Sequence, residues 1–216
     1  MPGGGGDAGP VSAALDAACT LQTAVFMNQA PTVGGGKRFN DTITDPDAFI
    51  KTRAKQVCLI LYDDVASVKR ISQVTLVIES PGNGVAATGG NRTGFSAAYI
   101  AGFGGNILAE INGVVAHEFT HIYQNNRGPG WLIEGMADYV RFRAGFFTLA
   151  QRRKGGNFND AYRTTGFFLA WLDDQYPAFA RKLNQAMRTG ADETTFMTLT
   201  GKPVMTLWNE YQAAIP

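Results

Sequence analysis

His117-Glu118-Phe119-Thr120-His121, within INGVVAHEFTHIYQ (111–124), decides how this chain is read. Side chains four apart stack on one face of a helix, so both imidazoles can reach one ion. Ile111, Val114, Val115 and Ile122 give the same segment a buried side. These two histidines are the only ones in the chain. Neutral imidazole suits zinc. Glu118, one residue from His117, falls where a carboxylate contacts a water rather than the metal itself. The chemistry needs that arrangement, because zinc brings the pKa of a bound water toward about 7 and the glutamate takes its proton.

A catalytic zinc uses three protein ligands and keeps one position open. The next stretch, WLIEGMADY (131–139), offers the third ligand in Glu134. The residues between His121 and Glu134 suffice to end one helix, turn at Gly128-Pro129-Gly130 and return antiparallel. Glu134 and Asp138 are again four apart on one face. Glu134 can therefore ligate while Asp138 accepts a hydrogen bond from the outer nitrogen of a ligand histidine. The bland reading of this pair is a solvated helix face, salt-bridged to Arg141, and the neighbouring HExxH motif argues against it. A third histidine ligand six residues after His121 is absent, since position 127 is Arg and position 124 is Gln instead of Gly. That excludes a metzincin site. No histidine is left to stabilise an oxyanion, so a tyrosine or arginine must do it. Tyr162 is the first candidate with Arg163 beside it, followed by Tyr139 and Tyr123.

The surrounding elements place these residues. Thr20–Asn28 is rich in strand formers and stops before Gly34-Gly35-Gly36. Asp45-Pro46 caps an amphipathic helix over 46–62, with Ile50, Ala54, Val57, Cys58 and Leu61 at helical spacing. Val74–Glu79 reads as a buried strand. The glycine-rich stretch 81–94 reads as a mobile loop or irregular hairpin, and Phe95–Ile100 as a further strand. Helical segments follow near 107–125, 131–144, 160–175, 177–188 and 203–214. Mixed strand and helix, then helix alone, is an α+β order. Residues 1–18 are expected to be a flexible tail and 19–216 one zincin-like domain, a small sheet with a helix followed by a helical half.

Composition excludes several partners. With 19 Lys and Arg against 18 Asp and Glu, the net charge of +1 asks for neither nucleic acid nor an anionic membrane surface. No apolar run approaches the roughly eighteen residues of a membrane helix. The opening MPGGGGDAGP has no basic n-region or apolar h-region, so no signal peptide is visible. Cys19 and Cys58 allow one disulfide or none. Cys58 lies in an apolar helical pattern, which favours a buried free thiol.

At these blocks the sequence resembles the plant basic secretory protein family, gluzincin-type peptidases also found in fungi and bacteria. EINGVVAHEFTHIYQ (110–124), WLIEGMADYVRFRAG (131–145), YRTTGFFLAWLDDQYPAFARKLNQAMR (162–188) and GKPVMTLWNEYQ (201–212) carry the likeness. GGGKRF (34–39), VTLVIE (74–79) and FSAAYI (95–100) match more loosely. The resemblance implies a secreted zinc peptidase, ligated by His117, His121 and Glu134, with Glu118 as base and peptides or proteins as substrate. The chain departs from the family in being nearly neutral, in lacking a visible export signal and in its glycine-rich 81–94 segment. The expected reaction is hydrolysis of a peptide bond by a monomer, with substrate lying along an edge strand near 84–89 or 95–100. Two other readings keep the same residues: a non-catalytic zinc-binding defence protein, and a hydrolase of non-peptide amides.

Overall fold

Val74, Leu76, Val77 and Ile78 leave one strand apolar on both faces, and such a strand needs neighbours on every side. The structure, a computed structural model describing residues 11–216, supplies them. The strand is β2 (Gln73–Glu79), flanked by β1 (Thr23–Asn28) and β4 (Arg92–Ser96), with β3 (Ala86–Gly89) outside β4. β1 and β4 run parallel to β2, and β3 runs antiparallel to β4. β3 is therefore an edge. The connection from β3 to β4 is the tight turn Gly90-Asn91, with Gly90 at φ +58°. Of the stretch 81–94, expected to be a mobile loop or irregular hairpin, residues 86–94 are thus a short, regular hairpin with Gly90 in its turn, while 81–85 is an irregular loop leading into it.

Two long helices carry the sheet's contacts to the rest of the chain. α3 (Pro46–Leu61), capped by the Asp45 carboxylate, packs on β1 and β2. α5 (Ile107–Tyr123), capped by Asn106, packs on α3 and reaches β3 and β4. The helical half follows as α6 (Gly130–Arg143), α7 (Tyr162–Gln175), α8 (Phe179–Ala186), α9 (Glu193–Thr200) and α10 (Val204–Ala213). One hydrophobic core runs through all of these elements, from Leu15 to Ile215. The α+β order read from the sequence is the observed one.

Several local expectations are corrected. Phe95–Ile100 is not a strand: β4 stops at Ser96, whose Oγ caps α4 (Ala97–Gly102) by accepting from Tyr99 N. Phe95, Tyr99 and Phe103 look like strand formers but recur every four residues, and their rings contact in sequence at 6.3 and 5.9 Å. Gly34–Gly36 does not end a strand but opens α2 (Gly34–Thr42). A Cβ on Gly35 would sit 1.9 Å from the Ala97 carbonyl oxygen, so close packing of α2 on α4 requires glycine there. α9 was not foreseen, because Thr194, Thr195, Thr198 and Thr200 blur its helical signal and the Asp192 cap decides it.

Cys19 and Cys58 form a disulfide, not a free buried thiol. Apolar periodicity reports that Cys58 is buried but not what lies against it. What lies against it is the end of α1 (Ala13–Ala18), which docks on α3 through Leu15 and an Asp16–Lys55 ion pair of 2.7 Å. Part of the expected tail is therefore helix, and residues 1–10 of it lie outside the described residues.

Candidate metal centre

α5 and α6 run side by side, and the site lies between them. The C-terminal end of α5 is pinned from three directions, which satisfies backbone groups a helix end leaves orphaned. Tyr62 Oη donates to the Tyr123 carbonyl (2.6 Å), Lys69 Nζ donates to the Gln124 carbonyl (3.2 Å), and Asn184 Oδ1 accepts from Asn125 N (2.9 Å). α6 is fixed by close approach to α7. A Cβ on Gly135 would lie 2.2 Å from Thr165 Cγ2, and one on Gly166 would lie 2.9 Å from the Asp138 carbonyl carbon. Glycines at these two points let α6 and α7 pack in near backbone contact, which holds Glu134 and Asp138 in place.

The three expected ligands converge. His117 Nε2 lies 3.2 Å from His121 Nε2 and 3.1 Å from Glu134 Oε2, and His121 Nε2 lies 3.6 Å from the same oxygen. His117, His121 and Glu134 form a group that could hold a metal ion. The spacing fits the donor chemistry: zinc–nitrogen bonds of about 2.0–2.1 Å in a tetrahedron separate neighbouring ligand atoms by about 3.3–3.4 Å.

The outer nitrogens fit as well. His117 Nδ1 is 2.7 Å from Asp138 Oδ1, to which Nδ1–H donates, so that Nε2 faces Glu134 and His121. On the other ring, Gln124 Nε2 lies 2.9 Å from His121 Nδ1, while Gln124 Oε1 is buried with no partner. Gln124 Nε2 also donates to the Ile133 carbonyl (3.3 Å), so this amide ties the outer side of the His121 ring to α6. Gln124 carried no signal in the sequence beyond its mismatch to the metzincin pattern.

The electrostatics follow from burial and these contacts. Burial alone would lower the pKa of His117, but hydrogen bonds to Asp138 and Glu134 outweigh it and hold the group at about 9. The same two imidazoles depress Glu134 to about 2. Glu118 is buried, 7% exposed, with Oε2 accepting from Thr88 Oγ1 at 2.7 Å. Thr88 lies on the edge strand β3 and was not among the residues singled out from sequence.

A cleft of about 980 Å³ opens over the centre, bounded by β3 on one side and by Phe147, Tyr162 and Arg163 on another. The Tyr162 ring stacks on His117 with centroids 6.1 Å apart. Its hydroxyl pKa is raised, chiefly by the Glu134 carboxylate, which keeps it a proton donor. Ala161 (φ +63°) and Tyr162 (φ +42°) both occupy the left-handed region that non-glycine residues avoid. Such backbone costs about 1–3 kcal/mol per residue and clusters where a side chain must be aimed. Tyr139 and Tyr123, the other tyrosine candidates, do not line the cleft. Tyr139 Oη donates to Asp173 Oδ2 (2.8 Å), and Tyr123 is packed in the core. Arg141 pairs with Glu110 (3.1 Å) and stacks on Phe147 (4.3 Å), leaving Glu134 and Asp138 to the histidines.

Residues 21–211 match the family described as peptidase of plants and bacteria. The chain belongs to that family. No curated protein and no solved structure matches the chain. Membership in this peptidase family, which the sequence blocks had suggested as the basic secretory protein family, implies a peptide or protein substrate. Among the described residues no helix is long and apolar enough to cross a membrane.

Proposed function

We propose that the chain is a zinc-dependent peptidase, its metal held by His117, His121 and Glu134 and its general base Glu118. One observation carries the reading: two imidazole nitrogens and a carboxylate oxygen meet within 3.1–3.6 Å, beside a buried second carboxylate. Zinc, when bound, polarises the scissile carbonyl and makes water a competent nucleophile near neutral pH. Glu118 takes the proton of the attacking water and returns it to the leaving nitrogen. The Tyr162 hydroxyl donates to the oxygen on which negative charge develops. Asp138 fixes the tautomer and direction of His117. Substrate lies antiparallel to β3, which has no outer neighbour among the described strands, and not along 95–100, because β4 lies between β2 and β3.

A single domain over 19–216 acting as a monomer is the simplest assembly for this cleft. The Cys19–Cys58 disulfide supports an oxidising compartment, and secretion in particular. The test compares wild type and Glu118→Gln, both assayed for bound metal, on a peptide library and on small amides. Peptide cleavage by wild type that falls by about 10²–10⁴-fold in the variant, with metal content equal, is the expected result. Activity confined to small amides would replace the peptidase reading, and no activity on either would leave a metal-binding protein.

A further inference from the structure

The general base has two oxygens, and the structure treats them differently. Thr88 Oγ1 lies 2.7 Å from Glu118 Oε2, 3.2 Å from the Glu118 carbonyl oxygen and 2.8 Å from Thr93 Oγ1. Register sets Thr88 directly opposite Thr93 across the β3–β4 ladder. Opposed residues of an antiparallel pair stand on one face, here the face turned to α5. Thr93 is fully buried, and Thr88 is the partner of its hydroxyl.

A hydroxyl has a single proton to donate. Were Thr88 to give it to Thr93, its lone pairs would face an acceptor oxygen of Glu118 at hydrogen-bond distance inside a buried site. Leaving that carboxylate oxygen unsatisfied is costly. The direction is thereby fixed: Thr93 donates to Thr88, and Thr88 donates to Glu118 Oε2.

We infer that Thr88, backed by Thr93, is the positioning residue of the general base, occupying Oε2 so that Oε1 is the oxygen that exchanges the proton. The inference rests on Glu118 being that base. In the cycle Oε1 takes a proton from water as the water oxygen bonds the carbonyl carbon. Oε1 then delivers that proton to the nitrogen as the carbon–nitrogen bond breaks. Both threonines finish with the protons they began with. Because Thr88 belongs to the edge strand, base and substrate backbone are referenced to one element.

The test uses metal-loaded full chain as wild type, Thr88→Val, Thr88→Ser and Thr93→Val. Valine keeps the shape and strand preference of threonine and removes only the hydroxyl. In Thr88→Val, kcat falls about 10-fold or more while KM and bound metal stay at wild-type values, and the melting temperature drops by only a few degrees as the buried Thr93 hydroxyl and Glu118 Oε2 lose their partner. Thr88→Ser restores kcat to within about two-fold, and Thr93→Val falls between. A crystal structure of Thr88→Val shows the Glu118 carboxylate rotated off its wild-type position. Unchanged kcat in Thr88→Val beside an active wild type overturns the inference, as does a Glu118 carboxylate that stays in place. A wild type inactive on every peptide, with the carboxylate still displaced in Thr88→Val, removes the peptidase reading but supports the hold on Glu118.

Discussion

His117 answers to three neighbours at once: Asp138 behind it, Glu134 and His121 in front. Without metal its pKa of about 9, set against an ordinary 6.5, means that at pH 7 it carries a proton the metal must displace. Metal affinity therefore rises with pH, approaching tenfold per unit below about 9. Calorimetric titration with zinc at pH 7, in buffers of different ionisation enthalpy, is expected to show about one proton released from this residue. The sign for the metal-free fold is opposite. A raised folded pKa stabilises fully below about 6.5, and that contribution fades as pH climbs through about 9. For Tyr162→Phe we expect kcat lower by about 10²-fold with metal content unchanged, read from steady-state kinetics beside metal analysis. The proposed ligand residues were legible in the sequence because helical spacing alone brings His117 to His121 and Glu134 to Asp138. Thr88 and Gln124 were not, since a threonine in a glycine-rich hairpin and a glutamine at a helix end acquire meaning only from what distant elements set against them.

The α6–α7 pair has the most extensive contact between two elements among the described residues, and its tolerance is small. Gly135→Ala places a methyl 2.2 Å from Thr165 Cγ2, so one helix must shift. Overpacking of this kind costs about 1–3 kcal/mol. Because Glu134 and Asp138 ride on α6, we expect a lower melting temperature together with weaker metal binding, measured by thermal denaturation and metal titration. Strong helices and the buried strand β2 could be read in advance, their periodicity being written in the residues. The 95–100 segment could not, because aromatic and branched residues satisfy both strand propensity and a four-residue helical repeat. There the Ser96 cap, a single hydrogen bond, decides. α2 was hidden for a related reason: its glycines, poor helix formers, are dictated by the approach of α4.

On the scale of the whole molecule, the disulfide joins residues 39 apart in sequence and fastens α1 to α3. Closing a loop of this length restricts the unfolded chain by an amount worth about 4 kcal/mol in the chain-entropy model. Cys58→Ser, or reduction, is accordingly expected to lower unfolding free energy by up to that figure in denaturant titrations, while zinc affinity stays unchanged. Sequence could count two cysteines but could not see α1 folding back onto α3, a contact made by Leu15 and Asp16 in a region resembling a tail. The same bond has a consequence for an enzyme that cuts polypeptides and must coexist with its own copies. A nick anywhere between Cys19 and Cys58 severs the backbone yet frees no fragment, since the two pieces remain stapled at Cys19 and Cys58 and β1 stays zipped to β2. Damage from a neighbouring molecule in that part of the chain would be held in place instead of shed.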